Sequence, residues 1–479
     1  MRSSENRPQA AATSGRHLVR ELENRHIQLI AIGGAIGSFL FVGSAQVIVD
    51  TGPSALLIYL IAGVTFFFGM RALGELLLSN LHYKSFRDAI DDILGPRAGF
   101  TVGWMYTMVW VLICVADSTA VATYVQYWWP GVPTVVVSVA MLALVTIINL
   151  IAVRAFGEFE FWFALIKVVA IVLIAVVGLF LIFTGFQVQA GVHPNILNLW
   201  SNGGLTCGFS HGASGFFRAF QLAFLAYGGV ELVGTTSAEA KDPEKTLPKA
   251  VNALPLRISL FYIVPLAIIL IVAPWFLFVP GKSPFVQVFA LGGVAGVLII
   301  AGVLNFVLLT AAASGTNSGI YAGSRMLFGL GESREGPRAL EALSKRMIPL
   351  PAVLGLAIVC VVIALLLGII PNAGEVYNTV SSMVSPLFLL VWGMIVAAYL
   401  VMCLRHGERH AASKFKSPGG VVVAALVLAM FLFNFVLGFC YPDALPGSLL
   451  ACAYIVVLEI IYSLPPVRKH ILAARALTD

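Results

Sequence analysis

The chain has 479 residues, of which 59% are hydrophobic and only 11% charged, with a mean hydropathy of +0.94. An ordinary globular protein carries roughly 25% charged residues, so this composition excludes a water-soluble domain and predicts an all-α integral membrane protein. The net charge of +6 needs no nucleic-acid partner: with both termini cytoplasmic, 26 of the 29 Lys and Arg fall in tails, loops and span ends on that side, a strong positive-inside pattern.

In chain order, residues 1–25 form a polar N-terminal arm, expected to be cytoplasmic and disordered from its Ser, Arg and Ala content. The arm and the long first span exclude a cleavable signal peptide. Residues 26–465 read as one transport domain of twelve spans. These are Gln28–Val49, Ser54–Leu78, Phe100–Gln126, Thr134–Ile151, Glu160–Phe183 and Ala213–Thr236, then Ser259–Val279, Gly293–Met326, Ala352–Ile370, Val376–Leu404, Gly420–Cys440 and Gly447–Leu464. Lys84–Leu94 has the spacing of a short interfacial helix. Trp128-Trp129-Pro130 reads as an interfacial anchor. Ala238–Ala250 reads as a connector whose Pro243 and Pro248 bound short pieces. Residues 466–479 form a cytoplasmic tail.

The first and sixth spans each carry a glycine-rich interruption, Ala31-Ile-Gly-Gly-Ala-Ile-Gly-Ser-Phe39 and Ala226-Tyr-Gly-Gly-Val-Glu231. Hydrocarbon holds no water to satisfy freed backbone groups, so a broken helix there is tolerated only where it lines a cavity. The breaks begin the first and the second set of five helices, and because five is odd the second set enters from the opposite face. That order predicts a 5+5 inverted repeat, repeat one at about 26–184 and repeat two at about 213–404, with helices 11 and 12 appended at about 419–465. The half-helix after Gly37 offers N–H groups and a positive dipole end to a carboxylate, and the stretch around Leu225–Gly228 offers carbonyls to an ammonium. A zwitterionic amino acid matches both polarities. The bland alternative makes Gly33-x-x-x-Gly37 a helix-packing face, which leaves the second break unexplained.

Ionisable groups within spans are few and are the candidates for proton coupling. Lys167 lies in an apolar run, where a charged lysine costs roughly 2.5–3.5 kcal/mol on insertion scales, and burial makes a neutral amine reachable. Asp117 lies midway along span 3, and Glu231 directly follows the second break, where holding the unwound segment is the favoured role. Structural pairing or snorkelling is the alternative for Lys167, and a capped structural carboxylate for Asp117. Arg218 reads as snorkelling at the outer end of span 6, and Ser314, Thr316, Asn317 and Ser318 as helix-packing hydroxyls and amides. The six cysteines show no metal-binding spacing and read as small buried hydrophobes, Cys207 excepted. No phosphate loop, nucleophile elbow or HExxH occurs, so ATP-driven and hydrolytic chemistry lack their residues; the reading includes no enzyme activity, cofactor or metal.

His26-Ile-Gln-Leu-Ile-Ala-Ile-Gly-Gly-Ala-Ile-Gly37 resembles the first helix of the bacterial amino acid transporter group of the amino acid-polyamine-organocation (APC) superfamily. Gly229-Val-Glu-Leu-Val-Gly-Thr-Thr-Ser-Ala-Glu-Ala-Lys-Asp-Pro-Glu-Lys-Thr-Leu-Pro248 resembles its sixth helix and the loop that follows. Phe156-Gly-Glu-Phe-Glu-Phe-Trp-Phe-Ala-Leu-Ile-Lys167 and Ser324-Arg-Met-Leu-Phe-Gly-Leu330 match further along. Gly74-Glu-Leu-Leu-Leu-Ser-Asn80, Tyr83-Lys-Ser-Phe86 and Ala116-Asp-Ser-Thr-Ala120 are similar to the branch that carries D-serine, D-alanine and glycine.

The resemblance implies a LeuT-like fold and proton-coupled uptake of small neutral amino acids across a bacterial inner membrane. It implies a substrate site at Ala35, Ile36, Gly37, Ser38, Phe39, Leu225, Ala226, Tyr227 and Gly228. The α-carboxylate would lie on the N–H groups of Ser38 and Phe39, helped by the Ser38 hydroxyl. The amino group would meet carbonyls near Ala35, Leu225 and Gly228, and Tyr227 would gate or line the pocket. Lys167 is placed against the broken first helix, where sodium-driven relatives hold an ion. One departure stands out: the group commonly has Gly-Thr-Gly-Leu-Phe where this chain has Gly37-Ser38-Phe39-Leu40-Phe41, so a ring replaces a glycine. That predicts a small substrate such as glycine, D-alanine or D-serine. The alternatives are a larger L-amino acid stacked on Phe39, an exchanger, or a sensor without transport.

Overall fold

The computed structural model describes residues 37–151, 153–185, 187, 192–200, 212–232, 234, 242–290, 295–369 and 373–475. Among them the regular structure is helical. In chain order the helices are α1 (Ser38–Phe41), α2 (Gly43–Thr51), α3 (Ala55–Leu78), α4 (Phe86–Leu94), α5 (Pro96–Gln126), α6 (Thr134–Ile151) and α7 (Val153–Thr184). After them come α8 (Gly212–Leu225), α9 (Pro243–Asn252), α10 (Leu254–Ile258), α11 (Val264–Val272), α12 (Pro284–Ala290) and α13 (Ala295–Glu332). The last are α14 (Leu350–Leu367), α15 (Ala373–Arg405), α16 (Gly407–Ala412), α17 (Gly420–Leu437), α18 (Leu445–Ser463) and α19 (Pro465–Arg475).

Ten helical stretches among the described residues are long and apolar enough to cross a membrane. Two features bring the expected twelve to this number. The first two spans join through the tight 3₁₀ turn Gly52–Ser54 and count as one stretch, Ser38–Leu78. Gly52 takes φ +60°, which a side chain resists, and Pro53 then opens the next helix, so the chain reverses without a loop. The sixth is interrupted: α8 stops at Leu225, too short to cross alone.

Helix α5 lies at the centre, packed by α13, α15, α6 and α4. Helix α7 packs on α13 and α11, α8 lies along α2 and α3, and α3 also meets α15 and α17. The interfacial helix expected at Lys84–Leu94 is α4, started by a capping box in which Ser85 and Asp88 satisfy each other's end of the first turn. Two local readings change. Pro248 does not end a piece of the connector but sits inside α9, at the loss of one backbone bond in the middle of the helix. Arg218 is not merely snorkelling: it pairs with Asp443 and lies 3.8 Å from Asp50, tying α8 to α2 and to the segment before α18.

Candidate functional site

The helix that starts at Ser38 packs on the helix that stops at Leu225. Gly37 is extended (φ −104°, ψ −176°), and α1 begins only at Ser38. Val42 keeps helical dihedrals, so α1 and α2 form one run to Thr51. Ala35 and Ile36 lie outside the described residues. On the other side α8 stops at Leu225 and residues 226–231 run through turns. There the bonds tighten to i→i−3, with Tyr227 N–H to Phe224 O at 3.1 Å, Gly228 N–H to Leu225 O at 2.9 Å and Leu232 N–H to Gly229 O at 3.1 Å. Gly229 takes φ +98°, where other residues are strained. Helix α1 packs on both α8 and α13 inside the apolar core. Among the described residues, no atom lies within 4 Å of where a Cβ on Gly37 would stand.

The first break is held from the side. Ser38 Oγ donates to Oδ1 of the buried Asp117 on α5. Its hydroxyl proton is thus given to the protein rather than turned toward a ligand. Asp117 Oδ2 occupies the space over Gly315 on α13, and a Cβ there would sit 1.9 Å from that oxygen. Phe39, the ring in place of a glycine, is buried in the core.

Beside Asp117 runs a second polar chain. Lys167 Nζ donates to Ser314 Oγ at 2.9 Å, and Ser314 Oγ donates to Glu160 Oε1 at 2.6 Å. Lys167 and Glu160 are both fully buried, and both Glu160 and Asp117 attract the ammonium electrostatically. Two carboxylates thus surround one ammonium, and the adjacent Ser314 and Gly315 join the two polar groups. Neither Glu160 nor the bridging role of Ser314 was singled out from sequence. The available signal was the seven-residue spacing of Glu160 and Lys167, which puts them on one helix face.

The second break is clasped by aromatic residues. Tyr227 is fully buried, its hydroxyl donating to Tyr59 O at 2.7 Å. Its ring lies between Tyr262 (4.5 Å, 6° between planes) and Phe66 (5.3 Å, 17°). Tyr262 belongs to a π-helical turn, Ser259–Ile263, and donates to Ala226 O at 2.9 Å. Such turns recur at functional sites. Gly63 leaves room for this arrangement, since a Cβ there would lie 2.9 Å from the Tyr227 hydroxyl. Glu231 is buried and its Oε2 accepts the Gly229 N–H at 3.1 Å, which pins the far end of the turn. Among the described residues no group of His, Cys, Asp and Glu is arranged to hold a metal ion.

Comparison with known proteins is consistent along the chain. The family described as amino acid permease matches residues 26–466. The D-serine/D-alanine/glycine transporter of Escherichia coli (strain K12) is 46% identical over 429 residues, 89% of each chain. The amino-acid permease AapA of Bacillus subtilis (strain 168) is 41% identical over 95% of this chain and 96% of its own. The aromatic amino acid transport protein AroP of Shigella flexneri is 39% identical over 87% of this chain and 90% of its own.

Proposed function

The chain belongs to the amino acid permease family, a membrane transporter and not an enzyme, and from that premise we propose that it imports small neutral amino acids together with protons. Glycine, D-alanine and D-serine are the preferred substrates. The carrying observation is the packing in the core of a helix that starts at Ser38 on one that ends at Leu225. Opposed helix ends offer a positive and a negative pole to the two charges of an amino acid. The carboxylate would rest at Ser38 and Phe39, and the ammonium near Leu225, Ala226 and Gly228, with Ala35, Ile36 and Gly37 completing the cradle. Tyr227, clasped by Tyr59 and Tyr262, would shape this site rather than swing across it.

The architecture behind this reading is twelve spans as a LeuT-like 5+5 inverted repeat plus two. It would lie in a bacterial inner membrane with both termini cytoplasmic, since the basic residues gather on that face. One bundle rocking against the rest would expose the site to each side in turn. Lys167, with Asp117 beside it, would carry the coupling proton, and Glu231 would hold the second break. The buried Phe39 ring and the name of the 46% identical transporter support a small substrate.

Uptake into proteoliposomes tests the reading. Glycine, D-alanine and D-serine should each compete for transport and accumulate under an imposed pH gradient. Failure of all three to compete, with phenylalanine or tyrosine competing instead, would overturn it in favour of the aromatic substrates for which AroP is named.

A further inference from the structure

The Lys167–Ser314–Glu160 chain has a direction. Glu160 precedes Lys167 by seven residues on α7, about 10 Å along the axis, toward the end where α7 begins and the basic loops gather. Only one of its oxygens is satisfied: Oε1 accepts from Ser314, while Oε2 has no hydrogen-bond partner among the described residues. A buried carboxylate oxygen left in that state is costly and uncommon. The polar atoms continue the same way. Ser318, one turn beyond Ser314 on α13, is buried with its hydroxyl unpartnered among the described residues. Asn317 accepts from Asn149 at 2.9 Å, and Asn149 stands two residues before the end of α6 on the same face. The acceptor of Asn149 and the amide of Asn317, unpartnered among the described residues, give bridging water a foothold.

We infer that Glu160 is the inward proton acceptor for Lys167, with Ser314 as the relay between them; this rests on the proton-coupled reading above. The Lys167 ammonium passes a proton to Ser314 Oγ while the Ser314 hydroxyl proton passes to Glu160 Oε1. The ammonium becomes an amine and the carboxylate becomes a carboxylic acid. No net charge is created in the apolar core and no redox partner is needed. The acid then loses its proton from the Oε2 side, through the polar groups of α6 and α13, to the solvent at the basic face. Among the described residues Asp117 on α5, on the break side, also acts on Lys167. Lys167 therefore stands between a carboxylate facing the site and a carboxylate facing the exit.

Full-length protein in proteoliposomes tests the assignment with two measurements, pH-gradient-driven glycine accumulation and glycine counterflow. The wild type should accumulate up to about tenfold per unit of pH difference for one coupled proton. Glu160→Gln retains an acceptor for Ser314 but cannot take a proton, so accumulation should vanish while counterflow persists. Ser314→Ala should do the same, and Ser314→Thr, which restores the hydroxyl, should recover accumulation. Undiminished accumulation by Glu160→Gln overturns the inference. Loss of accumulation and counterflow together in both Glu160→Gln and Glu160→Asp also overturns it, since Glu160 would then be structural. A wild type that counterflows but never accumulates would instead defeat the proton-coupled reading itself.

Discussion

Glu75 and Glu160 are both fully shut away from solvent, and they are treated in opposite ways. Glu75, near the basic end of α3, collects three donors: the Tyr399 hydroxyl at 2.9 Å, the Ser417 backbone N–H at 2.6 Å and His410 Nδ1 at 2.6 Å. Its neighbour on the same helix is engaged as well. Arg71 donates to Asn252 Oδ1 at 2.8 Å and covers the Phe415 ring at 3.8 Å. Gly74 gives that ring its space, since a Cβ there would lie 2.8 Å from it. Glu160 on α7 has one donor among the described residues, and beyond it an ammonium on which Asp117 also acts. A carboxylate saturated by donors from three segments has one stable arrangement and fastens α3 to the chain around α15 and α16. A carboxylate with one oxygen unpartnered among the described residues is held less firmly. The first pattern suits an anchor and the second suits coupling.

The largest effect should come from breaking the chain at its cation. Lys167→Ala is expected to abolish gradient-driven accumulation, and Lys167→Arg to fail as a substitute, because a guanidinium does not release its proton. Full accumulation by Lys167→Ala would remove the distinction between the two regions. Glu75→Ala should act the other way. Leaving its buried donors unpaired costs about 3 kcal/mol, read as a lower melting temperature in detergent, while the protein that remains folded still accumulates substrate. Unaltered melting would show that the Glu75 cluster anchors nothing.

A third buried carboxylate lies between these cases. Glu335, in the loop after α13, pairs with Arg87 at 2.5 Å, both side chains nearly inaccessible. Burial is the larger influence and pushes its carboxyl up to about 7, with Arg87 pulling back by less. A carboxyl raised in the folded state stabilises fully below its ordinary value near 4.5 and loses that contribution as pH rises through 7. Melting measured from pH 5 to pH 8 should therefore decline by about 2 kcal/mol more in wild type than in Glu335→Gln. A parallel decline in both would mean that Arg87 fully offsets the burial.

Much of this organisation was legible in the sequence because lipid constrains it severely. The long apolar runs, the breaks at Gly37 and Gly228, and the rarity of Asp117, Lys167 and Glu231 all follow from one rule: polar groups in hydrocarbon need a reason. What was not legible is pairing between distant helices. Nothing local says that Ser38 gives its hydroxyl to Asp117, that Gly315 makes room for that carboxylate, or that Ser314 joins Lys167 to Glu160. Those facts depend on the packing of α1, α5, α7 and α13. Arg218 belongs with these, since a snorkelling arginine looks alike in sequence whether or not an aspartate awaits it, whereas the helix that accommodates Pro248 is local.

The smallest effect sharpens the comparison most finely, because it touches the break without touching the coupling chain. Tyr262→Phe removes the donor to Ala226 O but keeps the ring that stacks on Tyr227. One hydrogen bond of this kind is worth about 1 kcal/mol, roughly a fivefold change in an equilibrium constant. The Ala226 carbonyl would lose its fixed direction, so KM should rise by up to that factor and by the same factor for glycine, D-alanine and D-serine, whose ammonium groups are identical. The accumulation ratio should stay at the wild-type value, because Lys167, Ser314 and Glu160 are unchanged and thermodynamic coupling does not depend on affinity. A fall in that ratio with KM unaltered would mean that the clasp at the second break and the proton chain on α7 form one device, and that the division between anchored and responsive regions falls elsewhere in the molecule.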